Sequence, residues 1–359
     1  MTRIRIRGEK IRRFILDQVP SYPADIGRMA SEHFKISRQA VNKHLQRLTK
    51  EGALSETGKT RNREYKLREL VTWGKKFEIA SGIDEDQVWT QEISKFLGPQ
   101  AENVTDIWHY AFTEMFNNAI DHSGGEVIRV VGRKTATTTE ILLIDDGIGI
   151  FKKIQQALGL MEERHAVLEL AKGKLTTDPK RHTGEGIFFT SRVLDSFNIY
   201  SGEVAFSHDF GEEEDWIFEK GATSGTTVWM KLNNHTARTA KKVFDKYVTG
   251  DDYGFTKTVV PVKLAQYDKD KLISRSQAKR VLARVELFKT VLFDFNGVPM
   301  IGQAFADEIF RVFRNAHPEI SIVPIRTNTE VKRMISRTAA SDATEELPFP
   351  DESVTPNDL

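Results

Sequence analysis

Hydrophobic positions along the chain change their period twice. Between residues 9 and 52 they return every three or four residues in "EKIRRFILDQV", "SYPADIGRMASEHF" and "ISRQAVNKHLQRLTKEG", the spacing of one face of an α-helix. In the third run Ser37 is expected as N-cap and Gly52 as the residue that stops the helix. "ALSETGKTRNREYKL" then offers two strands around a basic, Gly-containing turn. From about 88 to 232 the periods mix. "VIRVVGRK", "EILLIDDG", "FNIYSG" and "GTTVWMKL" are rich in β-branched and aromatic residues and predict strands, with helices expected at 102–122, 151–171 and 185–196. From about 240 to 340, strand-like "TKTVVPVKL", "KTVLFDF" and "EISIVPIR" alternate with helix-like runs, an α/β sandwich pattern.

A chain of 359 residues exceeds what one hydrophobic core usually supports. The expected fold class is multidomain α+β, with units at 1–70, 89–235 and 240–340. A linker is expected at 71–88 and a disordered acidic tail at 341–359. Hydrophobic residues make up 39% and charged residues 29%, as in ordinary globular proteins. Cysteine is absent, which excludes disulfides, thiolate metal sites and cysteine nucleophiles. No apolar run approaches the ~18–20 residues of a membrane span, and "MTRIRIRGEK" leads into no apolar signal segment, so a cytoplasmic location without membrane contact is expected.

Charge is unevenly shared. Residues 1–70 hold 17 Lys and Arg against 8 Asp and Glu, whereas the remainder holds 35 against 43. A basic head on an acidic body directs any polyanion to the head. This segment resembles the winged helix-turn-helix family, whose third helix enters the DNA major groove while the wing touches the backbone. The resemblance implies DNA as a partner. Arg38, Gln39, Asn42, Lys43 and Gln46 would face the groove, and Lys59, Arg61 and Arg63 would be phosphate contacts of the wing. The alternative is a winged unit that serves protein contact.

The stretch "EMFNNAIDHS" carries the candidate chemistry. Glu114, Asn118 and Asp121 fall on one stripe of a helix whose neighbours Met115, Phe116, Ala119 and Ile120 are apolar. Oxygen-bearing side chains half buried in this way need partners, from the backbone or from a ligand with a metal ion. Three patterns follow in order: "DDGIGI" with Asp145, Gly147 and Gly149 at a strand end, "HTGEGIFFTSRV" with Gly184 and Gly186 before a helix, and "GTTVWMKL" with Thr226 and Thr227 at the start of a strand. A carboxylate at a strand end can accept the amine of adenine while glycines let backbone approach the ring. N–H groups at a helix start suit phosphates. An Asn oxygen suits Mg²⁺, and a Glu one turn away can polarise a water.

These motifs, in this order, resemble the GHKL ATP-binding domains of gyrase-type ATPases, histidine kinases and anti-sigma kinases. The resemblance implies ATP and Mg²⁺ as cofactors, with Glu114 as general base and Asn118 as metal ligand. Asp145 would recognise adenine, Gly147 and Gly149 would line its pocket, and Thr226 and Thr227 would assist there. Gly184 and Gly186 would hold phosphates, and 151–183 would form a lid. Asp121 is shared with the gyrase-type pattern "NAID", whereas His122 resembles the anti-sigma kinases. No phospho-acceptor helix precedes the domain, and the gyrase transducer with its lysine is not apparent after Leu232, so a slow ATP-gated switch that biases a dimer between two arrangements is expected over efficient hydrolysis.

"TVLFDFNGVPMIGQAFADEIFRVF" resembles STAS domains, with Asp294 ending a strand, Asn296 and Gly297 in the turn, and Phe305 to Phe313 on the helix. That resemblance implies a protein partner. "PMIGQAF" lacks the Ser or Thr that anti-sigma antagonists phosphorylate. The leading expectation is an ATP-dependent, homodimeric DNA-binding regulator. A serine kinase of the anti-sigma type and a non-enzymatic ATP-bound scaffold are the alternatives.

Overall fold

The computed structural model describes residues 3–59, 62–176, 183–211, 216–248, 254–266, 271–339 and 349. The architecture is multidomain α+β. Three helices, Arg3–Gln18, Ile26–Phe34 and Arg38–Lys50, open the chain, followed by a hairpin of β1 (Leu54–Thr57) and β2 (Glu64–Leu67). Their apolar faces meet around Ile15, Val19, Ile26, Ala30 and Val41, all fully buried. Ser37 caps the third helix as its sequence predicts, its Oγ accepting from Ala40 N at 3.2 Å. This small core is separate from that of the remaining chain. The head touches the body where Arg13 Nη2 donates to His235 O at 3.2 Å.

The second unit is built on five antiparallel strands, β3 (Val71–Glu78), β4 (Val127–Lys134), β5 (Thr138–Asp145), β6 (Ser196–Asp209) and β7 (Trp216–Asn233), in the order β3-β4-β5-β7-β6. The stretch 71–78, expected as linker, is therefore the edge strand, paired along its length with β4. Its exposed lysines and glycine hide the two-residue period; Phe77 is its one buried side chain. In β5 the period is regular, and Thr139, Ile141, Leu143 and Asp145 all turn inward. Asp145 thus occupies the place where alternation calls for the next apolar residue. The helix Glu102–His122 packs its apolar stripe, including Trp108, Phe112 and Phe116, into the same core.

The single helix expected at 151–171 is two helices, Ile150–Leu158 and Glu163–Lys172. Gly159 at φ +61° ends the first, with Leu160 N donating to Gln155 O at 2.9 Å. A left-handed glycine of this kind closes a helix without steric cost. The helix expected at 185–196 spans Gly186–Val193.

The third unit carries a parallel sheet of β8 (Lys257–Pro261), β9 (Thr290–Asp294) and β10 (Ser321–Ile325), in the order β10-β9-β8. Helices Arg275–Leu282 and Thr329–Ala339 and a helical run over 303–316 cover it. Its core is continuous with that of the second unit. Phe188 lies 4.6 Å from Phe255 between ring centroids, and Phe255 lies 5.2 Å from Phe288. Of the expected disordered tail only Phe349 is described, and it packs against this core with Lys332 Nζ 5.2 Å from its ring centroid. Among the described residues no helix is long and apolar enough to cross a membrane.

Candidate functional site

A cavity of about 280 Å³ opens where the helix Glu102–His122, strands β5 and β7, and the start of the helix Gly186–Val193 converge. Glu114, Asn118, Asp145, Gly184, Gly186 and Thr226 all line it. Four stretches far apart in sequence are thereby brought to one wall. The apolar part of the lining includes Met115, Leu143, Ile154, Ile199 and Val228.

Asp145 is only 5% exposed. Its Oδ1 accepts from Gly147 N at 2.9 Å and from Thr226 N at 3.2 Å. Burial pushes its carboxyl above the usual range, and these two hydrogen bonds pull the other way. Thr226 Oγ1 in turn accepts from Ile150 N at 3.0 Å, so the first turn of the helix Ile150–Leu158 is fixed to β7. Gly147 and Gly149 are not on the wall. A Cβ on Gly147 would stand 2.2 Å from Ser123 O, and Gly149, at φ +91°, packs on Ser201 Oγ. Both serve the sharp turn that follows Asp145. Thr227 sits within β7, paired with Ile144 and Tyr200, beside the wall rather than on it.

Glu114 and Asn118 are half buried, one helical turn apart on the cavity side. A Cβ on Gly186 would come within 2.0 Å of Glu114 Oε2, so only glycine lets that carboxylate lie against the start of the helix Gly186–Val193. Gly184 adopts φ +74°, and its carbonyl accepts from Leu175 N at 3.0 Å. Nearby, burial raises the Tyr110 phenol, helped by the negative charges of Glu114 and Glu185. Burial also raises the Glu185 carboxyl, against the pull of Lys174. Asp121 falls on the exposed end of its helix, outside the wall, where its charge acts on Lys153.

Lys153 is a residue the sequence reading did not select. It lines the cavity, donates from Nζ to His122 O at 2.7 Å, and is lowered by burial. A signal for it exists in "GIGIFKKI". Ile150, Lys153 and Ile154 are three and four residues apart, so all share the inward face. His122 and Ser123 likewise complete the wall. Among the described residues no group of three His, Asp or Glu side chains stands together as a metal cage.

In the head, the third helix buries Val41, Leu45 and Leu48 and presents Arg38, Gln39, Lys43 and Gln46 to solvent, with Asn42 half exposed. Lys59 is exposed at the hairpin turn, and Arg61 lies outside the described residues. Arg63 is half exposed beside the hairpin. Its Nη1 is 3.6 Å from Glu56 Oε2.

In the third unit Asp294 ends β9 and accepts from Asn296 N at 3.0 Å, with Asn296 and Gly297 forming the turn. The helical run beyond it contains a π-type segment, Glu308–Phe313. A search of curated proteins finds no match to the chain. A family model described as a STAS-like domain of unknown function matches residues 277–332, from within the helix Arg275–Leu282 to within the helix Thr329–Ala339, and supports a STAS-like domain in the third unit.

Proposed function

We propose that the protein is a DNA-binding regulator whose second unit binds Mg·ATP, hydrolyses it slowly, and so switches its conformation or dimerisation. The observation that carries this reading is the single cavity lined by Glu114, Asn118, Asp145, Gly184, Gly186 and Thr226. The donor set fits a nucleotide. A buried carboxylate with Oδ1 held by backbone N–H groups accepts an exocyclic amine. The apolar lining from Leu143 and Val228 suits the faces of a base. Backbone N–H groups at Gly184 and Gly186, with the Lys153 ammonium, suit phosphate oxygens. Mg²⁺ typically keeps several waters and takes few protein ligands, so Asn118 alone with phosphate oxygens is an adequate set.

In this reading Asp145 orients the base and the glycines admit the phosphates. Glu114 takes a proton from water at its carboxylate oxygen, and the ATP phosphate bond supplies the chemistry. The head supports DNA as the partner through its charge excess and the exposed face carrying Arg38, Gln39, Lys43 and Gln46. The STAS-like unit would receive a protein partner. A ligand shifts a two-state equilibrium only through unequal affinity for the two states, so ATP must favour one DNA-binding form.

The test is anisotropy of a labelled duplex with the full chain, with and without Mg·ATP, beside sedimentation of the free protein. A change in DNA affinity or in oligomeric state is expected; no change in either contradicts the switch. With labelled γ-phosphate, release of free phosphate is expected, and Glu114→Gln should slow it by about 10²–10⁴-fold with binding retained. Transfer of the label to protein would instead establish the kinase alternative.

A further inference from the structure

Next to the cavity, the second and third units exchange cations at their helix ends. Lys172, the last residue of the helix Glu163–Lys172, is fully buried. Its Nζ donates to Glu169 Oε1 at 2.8 Å, to Arg280 O at 3.0 Å and to Ala283 O at 2.7 Å. Those two carbonyls end the helix Arg275–Leu282 of the STAS-like unit, where a helix carries its negative partial charge. Arg284 answers from the other side. Its Nη1 donates to Glu169 Oε2 at 3.3 Å, and its Nη2 donates to Gly173 O at 3.2 Å and to Lys174 O. Thr258 Oγ1, on β8, donates to Lys172 O at 2.6 Å.

Stability alone does not require such a cluster, because buried ion pairs are often matched or bettered by apolar residues of the same volume. What it does fix is position. Leu175 and Thr176, which follow directly on the carbonyls held by Arg284, form part of the cavity wall, and Leu175 N donates to Gly184 O at 3.0 Å. Only one peptide unit separates the Arg284 fork from that wall.

We propose that the STAS-like unit sets the ligand affinity of the cavity through this tether, so that a partner which shifts the helix Arg275–Leu282 changes nucleotide binding. Nucleotide binding then changes the partner's affinity by the same factor, because linkage between two binding sites is reciprocal. The inference rests on the reading of the cavity as a nucleotide site.

The test uses the full chain, wild type and Arg284→Gln, with a non-hydrolysable ATP analogue and Mg²⁺ as probe. Amide exchange at Leu175 is measured without the probe. Exchange there should quicken by about ten-fold while β4 and β5 keep their protection. Affinity for the analogue should fall by about five-fold or more. Equal affinity in the two proteins overturns the coupling and leaves the nucleotide site standing. If the wild type does not bind the analogue, the nucleotide reading falls. The tether is then judged on exchange alone: faster exchange at Leu175 supports it and unchanged exchange overturns it. Should Arg284→Gln fail to fold, Arg284→Lys, which keeps the charge without the fork, is expected to show a smaller change of the same sign, and wild-type behaviour overturns the tether.

Discussion

Two strands of this protein end in an inward-facing aspartate followed by a glycine-containing turn, and the two carboxylates have opposite surroundings. Asp145 ends β5 at 5% exposure, and Asp294 ends β9 at 6%. Each accepts a backbone N–H two residues on, at 2.9 Å from Gly147 and 3.0 Å from Asn296. Beyond that they part. Asp294 is matched by a guanidinium: Arg326 Nε donates to Oδ1 at 2.9 Å, and Nη2 donates to Oδ2. Asp145 meets no cation in the described contacts of its side chain and faces a cavity of about 280 Å³. The same local pattern therefore gives a closed structural ion pair in one unit and an open acceptor in the other. A strand-end aspartate signals chemistry only when nothing in the fold neutralises it.

That contrast can be broken by one substitution made twice. Asp294→Asn strands the Arg326 guanidinium, which is 10% exposed in its side chain, and should cost about 3–5 kcal/mol in denaturant unfolding. Loss of less than about 1 kcal/mol would show that Arg326 finds water or another acceptor. Asp145→Asn keeps an oxygen for the N–H groups of Gly147 and Thr226. It should leave folding intact while lowering nucleotide affinity by about 100-fold, the cost of an unmatched polar group in a closed site. Unchanged affinity would place the base elsewhere.

A smaller effect sharpens the comparison through pH. Burial raises the Asp145 carboxyl, so the folded state holds its proton more tightly than the unfolded chain. The stabilising contribution of that proton is complete below the ordinary carboxylate value and is lost as pH rises through the raised one. Wild type should therefore lose stability relative to Asp145→Asn between acid and neutral pH, read as a widening gap in Tm. A constant gap would mean that the hydrogen bonds to Oδ1 offset burial fully.

Much of the candidate site was legible because its signals are local. The alternation of Thr139, Ile141 and Leu143 projects Asp145 inward, and Glu114 and Asn118 share a helical stripe with Met115 and Ala119 beside them. The glycine pairs mark turns, although Gly147 and Gly149 brace the turn and Gly184 and Gly186 form the wall. What escaped depends on distant partners. The edge strand β3 lacks alternation and is made by pairing with β4. Lys172 and Glu169 read as members of an ordinary charged helix, and only Arg284 and the carbonyls of Arg280 and Ala283 make them a buried cluster. Arg63 stands 3.6 Å from Glu56 of the facing strand, a neighbour that only the hairpin pairing supplies.

The most direct measurement is a calorimetric titration of the full chain with a non-hydrolysable ATP analogue and Mg²⁺, on wild type and Asp145→Asn side by side. Saturable binding at one site per chain is predicted for wild type, weakened by about 100-fold in the variant while its melting curve is retained. Absence of binding to wild type, or equal binding to both, would contradict the assignment of this cavity to a nucleotide.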